Sequence, residues 1–206
     1  MNNFDLTVFK LIAREIEISK FEKWVYEERK LEGILTPDEY LELISQAYKQ
    51  PSSLYEAEKI LKRYVNIGNY HEWYLRRILQ KIIDRSVDAH KYIEECYDLY
   101  CKGYGFLDNL GLGYGLAITV PPSNYNGGSW DKLESPEQIK LLDSFYPDVR
   151  REAEKVLGWL DSGEISITGH DGSSQGIEYM DIRKKEDKEP TGYKIASPSK
   201  KWWKLW

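Results

Sequence analysis

The chain is poor in cysteine, methionine and histidine, with 2, 2 and 3 among 206 residues. Two cysteines exclude a disulfide scaffold. No window approaches the roughly 20 apolar residues that cross a bilayer as a helix. Met1-Asn2-Asn3-Phe4-Asp5 has neither the basic nor the apolar stretch of a secretory leader. The expected location is therefore cytoplasmic. Basic charge is not in excess either: 29 Lys and Arg face 34 Asp and Glu, a net of −5. That balance argues against general nucleic-acid binding, which needs clustered cations on phosphates.

The signatures of catalysis are equally sparse. There is no Gly-Lys-Ser/Thr phosphate loop and no nucleophile elbow. His170-Asp171 beside Ser173 and Ser174 lie in one turn, where neighbours in sequence do not build a triad. Cys96, Cys101, His71, His90 and His170 are scattered without metal-ligand spacing. No metal, cofactor or catalytic residue is expected, and both cysteines read as helical core.

Aromatics, by contrast, are abundant: 16 Tyr, 7 Trp and 5 Phe. Tyr and Trp suit places that are half apolar and half wet, in cores and at interfaces. The 41% hydrophobic content is enough for a packed core. Charge is distributed unevenly. Residues 1–101 sum to −3, residues 102–182 to −7 and residues 183–206 to +5.

The first half has helical periodicity. Phe4, Val8, Leu11 and Ile16 mark one helix, and Phe21, Trp24, Val25 and Leu31 a second from Lys20 to Glu32, ended by Gly33. Thr36-Pro37-Asp38-Glu39 is a capping box with proline at the first helical position. Pro51-Ser52-Ser53 opens the next helix, and Gly68-Asn69 predicts a break. From Tyr70 to Tyr100 neither Gly nor Pro interrupts an amphipathic pattern, in one helix or two.

Gly103 to Gly128 then reads as an irregular, glycine-rich loop, with one short strand at Leu116–Val120. Gly111, Gly113 and Gly115 lack the strand-before, helix-after context of a dinucleotide site. Ser135-Pro136-Glu137-Gln138 predicts another capped helix, and Pro147 to Gly163 a further one. After Gly163 the period becomes two. Ile165, Ile167, a turn at Asp171 to Gly176, and then Ile177, Tyr179 and Ile182 predict a hairpin. Gly192–Ala196 suggests a third strand, and Lys200 to Trp206 is a basic tail with three tryptophans.

The expected fold class is α+β, mostly α: a helical bundle in the first half and a small antiparallel β-hairpin or sheet near the C-terminus. Residues 1–102 form the helical region. Residues 103–206 supply the Gly-rich loop, two helices and the small sheet, packed with the first region as one domain.

Phe21-Glu22-Lys23-Trp24-Val25-Tyr26, followed by Tyr40-Leu41-Glu42-Leu43-Ile44-Ser45, resembles the N-terminal helical region of bacterial immunity proteins from polymorphic toxin systems. The resemblance covers about the first 65 residues. It implies a small cytoplasmic protein that binds a cognate toxin domain, often a nuclease, and blocks its active site. The family shares no catalytic residues, and no binding residue carries over to this chain.

The acidic middle section fits that expectation. A nuclease toxin is basic because its substrate is a polyanion, and an acidic inhibitor is steered onto it. Asp161, Glu164, Asp171 and Glu178, which flank the predicted hairpin, are the candidate toxin-binding residues. The alternatives are a small hydrolase using a carboxylate pair in the Gly-rich region, from Asp108, Asp131 and Glu134, and a membrane-peripheral adaptor held by Trp202, Trp203 and Trp206. Seven tail residues are too few for stable attachment alone.

Overall fold

Asn2 begins the first helix by accepting the Asp5 N–H at 2.8 Å, one of the orphan donors a helix start must satisfy. The computed structural model that follows from it describes residues 1–50, 52–125, 128–170 and 177–188. These residues divide into two compact units, within Met1–His71 and Glu72–Trp206. The composition change at 102–103 lies inside the second.

The first unit packs α1 (Asn3–Ile12), α2 (Ile18–Glu27), α3 (Leu31–Ile34), α4 (Pro37–Ile44) and α5 (Ser52–Leu61). The apolar stripes of these helices converge on Val8, Leu11, Phe21, Leu31, Leu43 and Leu61, all fully buried. The predicted second helix ends early at Glu27, and Gly33 sits within α3 instead of after it. The Thr36 capping box forms as predicted. The Glu39 N–H donates to Thr36 Oγ1 at 3.3 Å, and the Thr36 N–H to Glu39 Oε2 at 3.1 Å.

Gly68-Asn69 is not a break. Asn66 Oδ1 accepts the Asn69 N–H at 3.0 Å, so the cap lies just upstream and Gly68 falls in the first turn of α6 (Ile67–Ile83). The Gly- and Pro-free stretch beyond it resolves into two helices, α6 and α7 (Ala89–Cys101). Arg85, at φ 46°, turns the chain between them.

The largest departure concerns the glycine-rich segment. It is helical over Asn109–Gly115, with wide i→i+5 turns such as Leu116 N–H to Gly111 O, and continues into α8 (Leu116–Thr119). The predicted strand at Leu116–Val120 is therefore a correction. Its β-branched residues favour a strand, but Ala117 and Ile118 are buried in the core as helix, and tertiary packing overrides propensity. The glycines serve contact. A Cβ at Gly111 would stand 2.8 Å from Tyr100 Cβ, and one at Gly115 2.7 Å from the Ile93 carbonyl oxygen, both on α7.

The second unit is completed by α9 (Ser135–Phe145), α10 (Asp148–Ser162), β1 (Ile165–His170), β2 (Ile177–Asp181) and α11 (Lys185–Lys188). Glu134, not Ser135, takes the N-cap position of α9. Gln138 Nε2 instead donates to the Trp130 carbonyl at 3.0 Å. Gly163, at φ 72°, ends α10 as expected. The predicted hairpin is the antiparallel pair β1–β2, with Thr168 as the extra residue between Ile167↔Tyr179 and Gly169↔Glu178. Leu75, Leu79, Ile93, Cys96, Tyr104, Ile118, Val149 and Ile165 are among the residues of its core. Cys96 belongs there, but Cys101, also expected in the core, is exposed. The suggested third strand and the tryptophan tail lie outside the described residues.

The α+β, mostly helical architecture and its single small hairpin thus match expectation among the described residues.

Candidate functional site

The site is built from the hairpin upward. Ile165 and Ile167 turn inward from β1 and are buried. From β2, Ile177, Tyr179 and Asp181 turn the same way, and Glu178 and Met180 turn out. Tyr179 anchors the strand: its ring meets Phe106 edge-on with centroids 4.9 Å apart, and its hydroxyl bonds the Gly105 backbone.

The base of the hairpin is held by charge. Arg183 is buried, and its guanidinium grips Asp181 in a fork, Nε to Oδ1 at 3.1 Å and Nη2 to Oδ2 at 2.9 Å. A third donor, Nη1, reaches the Asp187 carbonyl at 3.0 Å. The guanidinium lies 4.3 Å from the Trp159 ring centroid, and Lys155 Nζ lies 4.9 Å from the same ring. The Arg183 contacts hold the Asp181 carboxyl below the usual carboxylate range, with Lys188 adding to them.

The outward face follows from the register. The pairs Ile165↔Asp181 and Ser166↔Met180, with the Ile182 N–H donating to the Glu164 carbonyl at 2.9 Å, set Glu164 beside Ile182 and Ser166 beside Met180. Met180 is 51% exposed and Ile182 62%. Two large apolar side chains thus stand in solvent, with Glu164 at one end and Glu178 about 13 Å along the strands at the other.

Of the four predicted carboxylates, then, Glu164 and Glu178 share this face. Asp161 is exposed at the end of α10 and ion-paired to Arg76 of α6. Asp171 lies outside the described residues. The missed members are Met180 and Ile182. A strict period of two from Ile177 and Tyr179 places Met180 and Ile182 together on the outward face, whereas the expected apolar set Ile177, Tyr179 and Ile182 breaks that period at Ile182.

Of the carboxylates of the alternative hydrolase, Asp108 accepts the Asn109 N–H at 2.8 Å at the start of the wide turns, and Asp131 and Glu134 are exposed ahead of α9. His90 stacks on Trp130 with centroids 4.6 Å apart, and burial pushes its pKa down. Cys96 is fully buried, and that burial pushes its thiol pKa up. Among the described residues no three His, Cys, Asp or Glu gather closely enough to hold a metal, and no helix is long and apolar enough to cross a membrane.

Comparison with protein families, with curated proteins and with solved structures finds no match to this chain.

Proposed function

We propose that this chain is an immunity protein, which binds a basic toxin domain and neutralises it by covering the toxin's active site. The observation that supports this most directly is the outward hairpin face, where Met180 and Ile182 are exposed, with Glu164 beside Ile182 and Glu178 two residues before Met180. Exposed apolar side chains on a packed scaffold suit an interface core. Carboxylates at its edge favour a basic partner and speed encounter. The hairpin is fastened to the unit through Arg183 and Tyr179, so the face is presented on a rigid support and little ordering entropy is lost on binding.

The test is co-purification with the product of the adjacent gene, together with rescue of cells that express that product. Binding and rescue by the wild-type chain are expected. Met180→Ala with Ile182→Ala should weaken binding by tenfold or more. A chain that neither binds nor rescues overturns the proposal.

A further inference from the structure

The first unit carries a surface that the hairpin does not account for. Three large apolar side chains stand in solvent around one short helix: Leu41 on α4 itself, 60% exposed, Tyr26 on α2, 59%, and Tyr55 on α5, 52%. Their placement follows from the packing. Leu43 is the fully buried residue of α4, with Tyr40 and Ile44 packed against the same core. Leu41 therefore points away from it.

Tyr26 reaches α4 from one side. Its hydroxyl donates to the Ile44 carbonyl at 3.3 Å, one turn beyond Leu41 on the same flank, and its ring meets Tyr48 edge-on. On α5, Lys59 Nζ lies 4.4 Å over the Tyr55 ring and bonds Glu56 at 3.1 Å. The outer face of α4 thus presents Leu41 with Tyr26 beside it, both exposed.

The sign of the surroundings selects the occupant. Residues 17–61, which hold α2, α3, α4 and α5, carry ten acidic and six basic groups. Asp38 and Glu42 are exposed on the same helix as Leu41. A second copy of this chain would meet like charge on like charge, which disfavours self-association through this strip. A basic protein surface would find apolar anchors at the centre and opposite charge around them. Tyrosines at such a centre match the residue type that dominates binding energy at interfaces.

We infer that the outer face of α4, with Tyr26 and Leu41 at its centre, is a docking surface for a basic protein partner. Resting on the proposed function, this partner is the toxin domain.

The test measures binding of the adjacent gene's product to four chains. These are the wild type, Tyr26→Ala with Leu41→Ala, Asp38→Asn with Glu42→Gln, and the hairpin variant Met180→Ala with Ile182→Ala. All four substituted side chains of the first unit are exposed or at the helix surface, and circular dichroism with urea unfolding verifies the fold. The Tyr26/Leu41 variant should bind at least tenfold more weakly, chiefly through faster dissociation. The Asp38/Glu42 variant should associate several-fold more slowly, with weaker salt dependence. A folded Tyr26/Leu41 variant that binds as the wild type does, while the hairpin variant loses affinity, overturns the docking surface and leaves the proposed function standing. No binding by the wild-type chain overturns both.

Discussion

Gly115 lies against α7 so closely that a Cβ would stand 2.7 Å from the Ile93 carbonyl oxygen. The obstacle is backbone, which cannot swing aside as a side chain can. Gly115→Ala must push the wide-turn segment off α7 and is expected to cost about 1–3 kcal/mol, the usual range for overpacking. Gly111→Ala, aimed at Tyr100 Cβ and the Cys96 carbonyl, should cost a similar amount. Gly158 on α10 is the control, because nothing stands within 4 Å of the position its Cβ would take. Gly158→Ala should stabilise by about 0.5–1 kcal/mol, since Ala favours the helix. Urea unfolding of the three variants measures the contrast in sign.

Arg85 turns the chain between α6 and α7 at φ 46°, with the Ser86 N–H reaching back to the Lys81 carbonyl at 3.1 Å. That is the closing bond of a left-handed helix end, a place glycine normally takes. Arginine holds it here with its side chain, which pairs with Asp143 and lies 4.8 Å from the Tyr146 ring centroid. Arg85→Ala loses the anchor and keeps the left-handed strain. Arg85→Gly loses the anchor and removes the strain. The glycine variant is therefore expected to be the more stable of the two by about 1 kcal/mol, read from paired urea midpoints. An alanine variant as stable as the glycine one would show that the turn carries no strain.

These two positions also explain what the sequence concealed. Thr36 with Glu39, Gly163, and the alternation at Ile165 and Ile167 each carry a local signal whose physics is local, so those elements were legible. Helix ends at Arg14 and Arg85 were not, because both place arginine at positive φ, where glycine is the usual marker. The Gly111 to Gly115 spacing was visible, but a glycine pair four residues apart fits a loop and a close helix crossing equally. Only the partner, Ile93 and Tyr97 on α7, decides between them. Glu164 and Glu178 were legible as hairpin-flanking acids. That Met180 and Ile182 join them was hidden because Ile182 is as apolar as the inward Ile177, although its parity is that of the outward Glu178 and Met180. The fold of Arg183 back onto Trp159 is likewise a tertiary fact that nothing in its own neighbourhood announces.

Glu39 ties the start of α4 to the turn after α5. Its carboxylate accepts from Thr36 and from the Tyr64 hydroxyl, and lies 2.6 Å from an Arg63 nitrogen. The Tyr64 bond, then the Thr36 bonds, lower its pKa from 4.5 to about 2. A carboxyl depressed on folding contributes stability that is complete above its unfolded value and lost as pH falls through the folded one. Glu39→Gln should therefore destabilise at pH 7, with the gap to wild type closing between pH 4.5 and about 2. Thr36→Ala, which removes the cap oxygen, should cost about 1 kcal/mol at pH 7. Urea unfolding at pH 7, 4 and 2.5 tests both, and a Glu39→Gln gap that stays constant with pH would refute the assignment.

Asp181 decides whether the hairpin face keeps its shape. Its fork with Arg183 is the counter-charge of a guanidinium that is 8% exposed. Asp181→Asn keeps one acceptor oxygen but removes the counter-charge, leaving the cation buried beside a neutral side-chain amide, the Asp187 carbonyl and the Trp159 ring. The expected cost is about 3 kcal/mol, the scale for removing one member of a buried pair. The companion variant Asp181→Asn with Arg183→Met removes the stranded charge as well and should recover part of that loss. Because Met180 and Ile182 sit on either side of Asp181, the single variant should also weaken partner binding, without either apolar side chain being touched. Amide exchange over 177–182 separates the two routes. Faster exchange together with weaker binding marks a loosened face, whereas weaker binding with unchanged exchange would mean that the Asp181 carboxylate itself meets the partner.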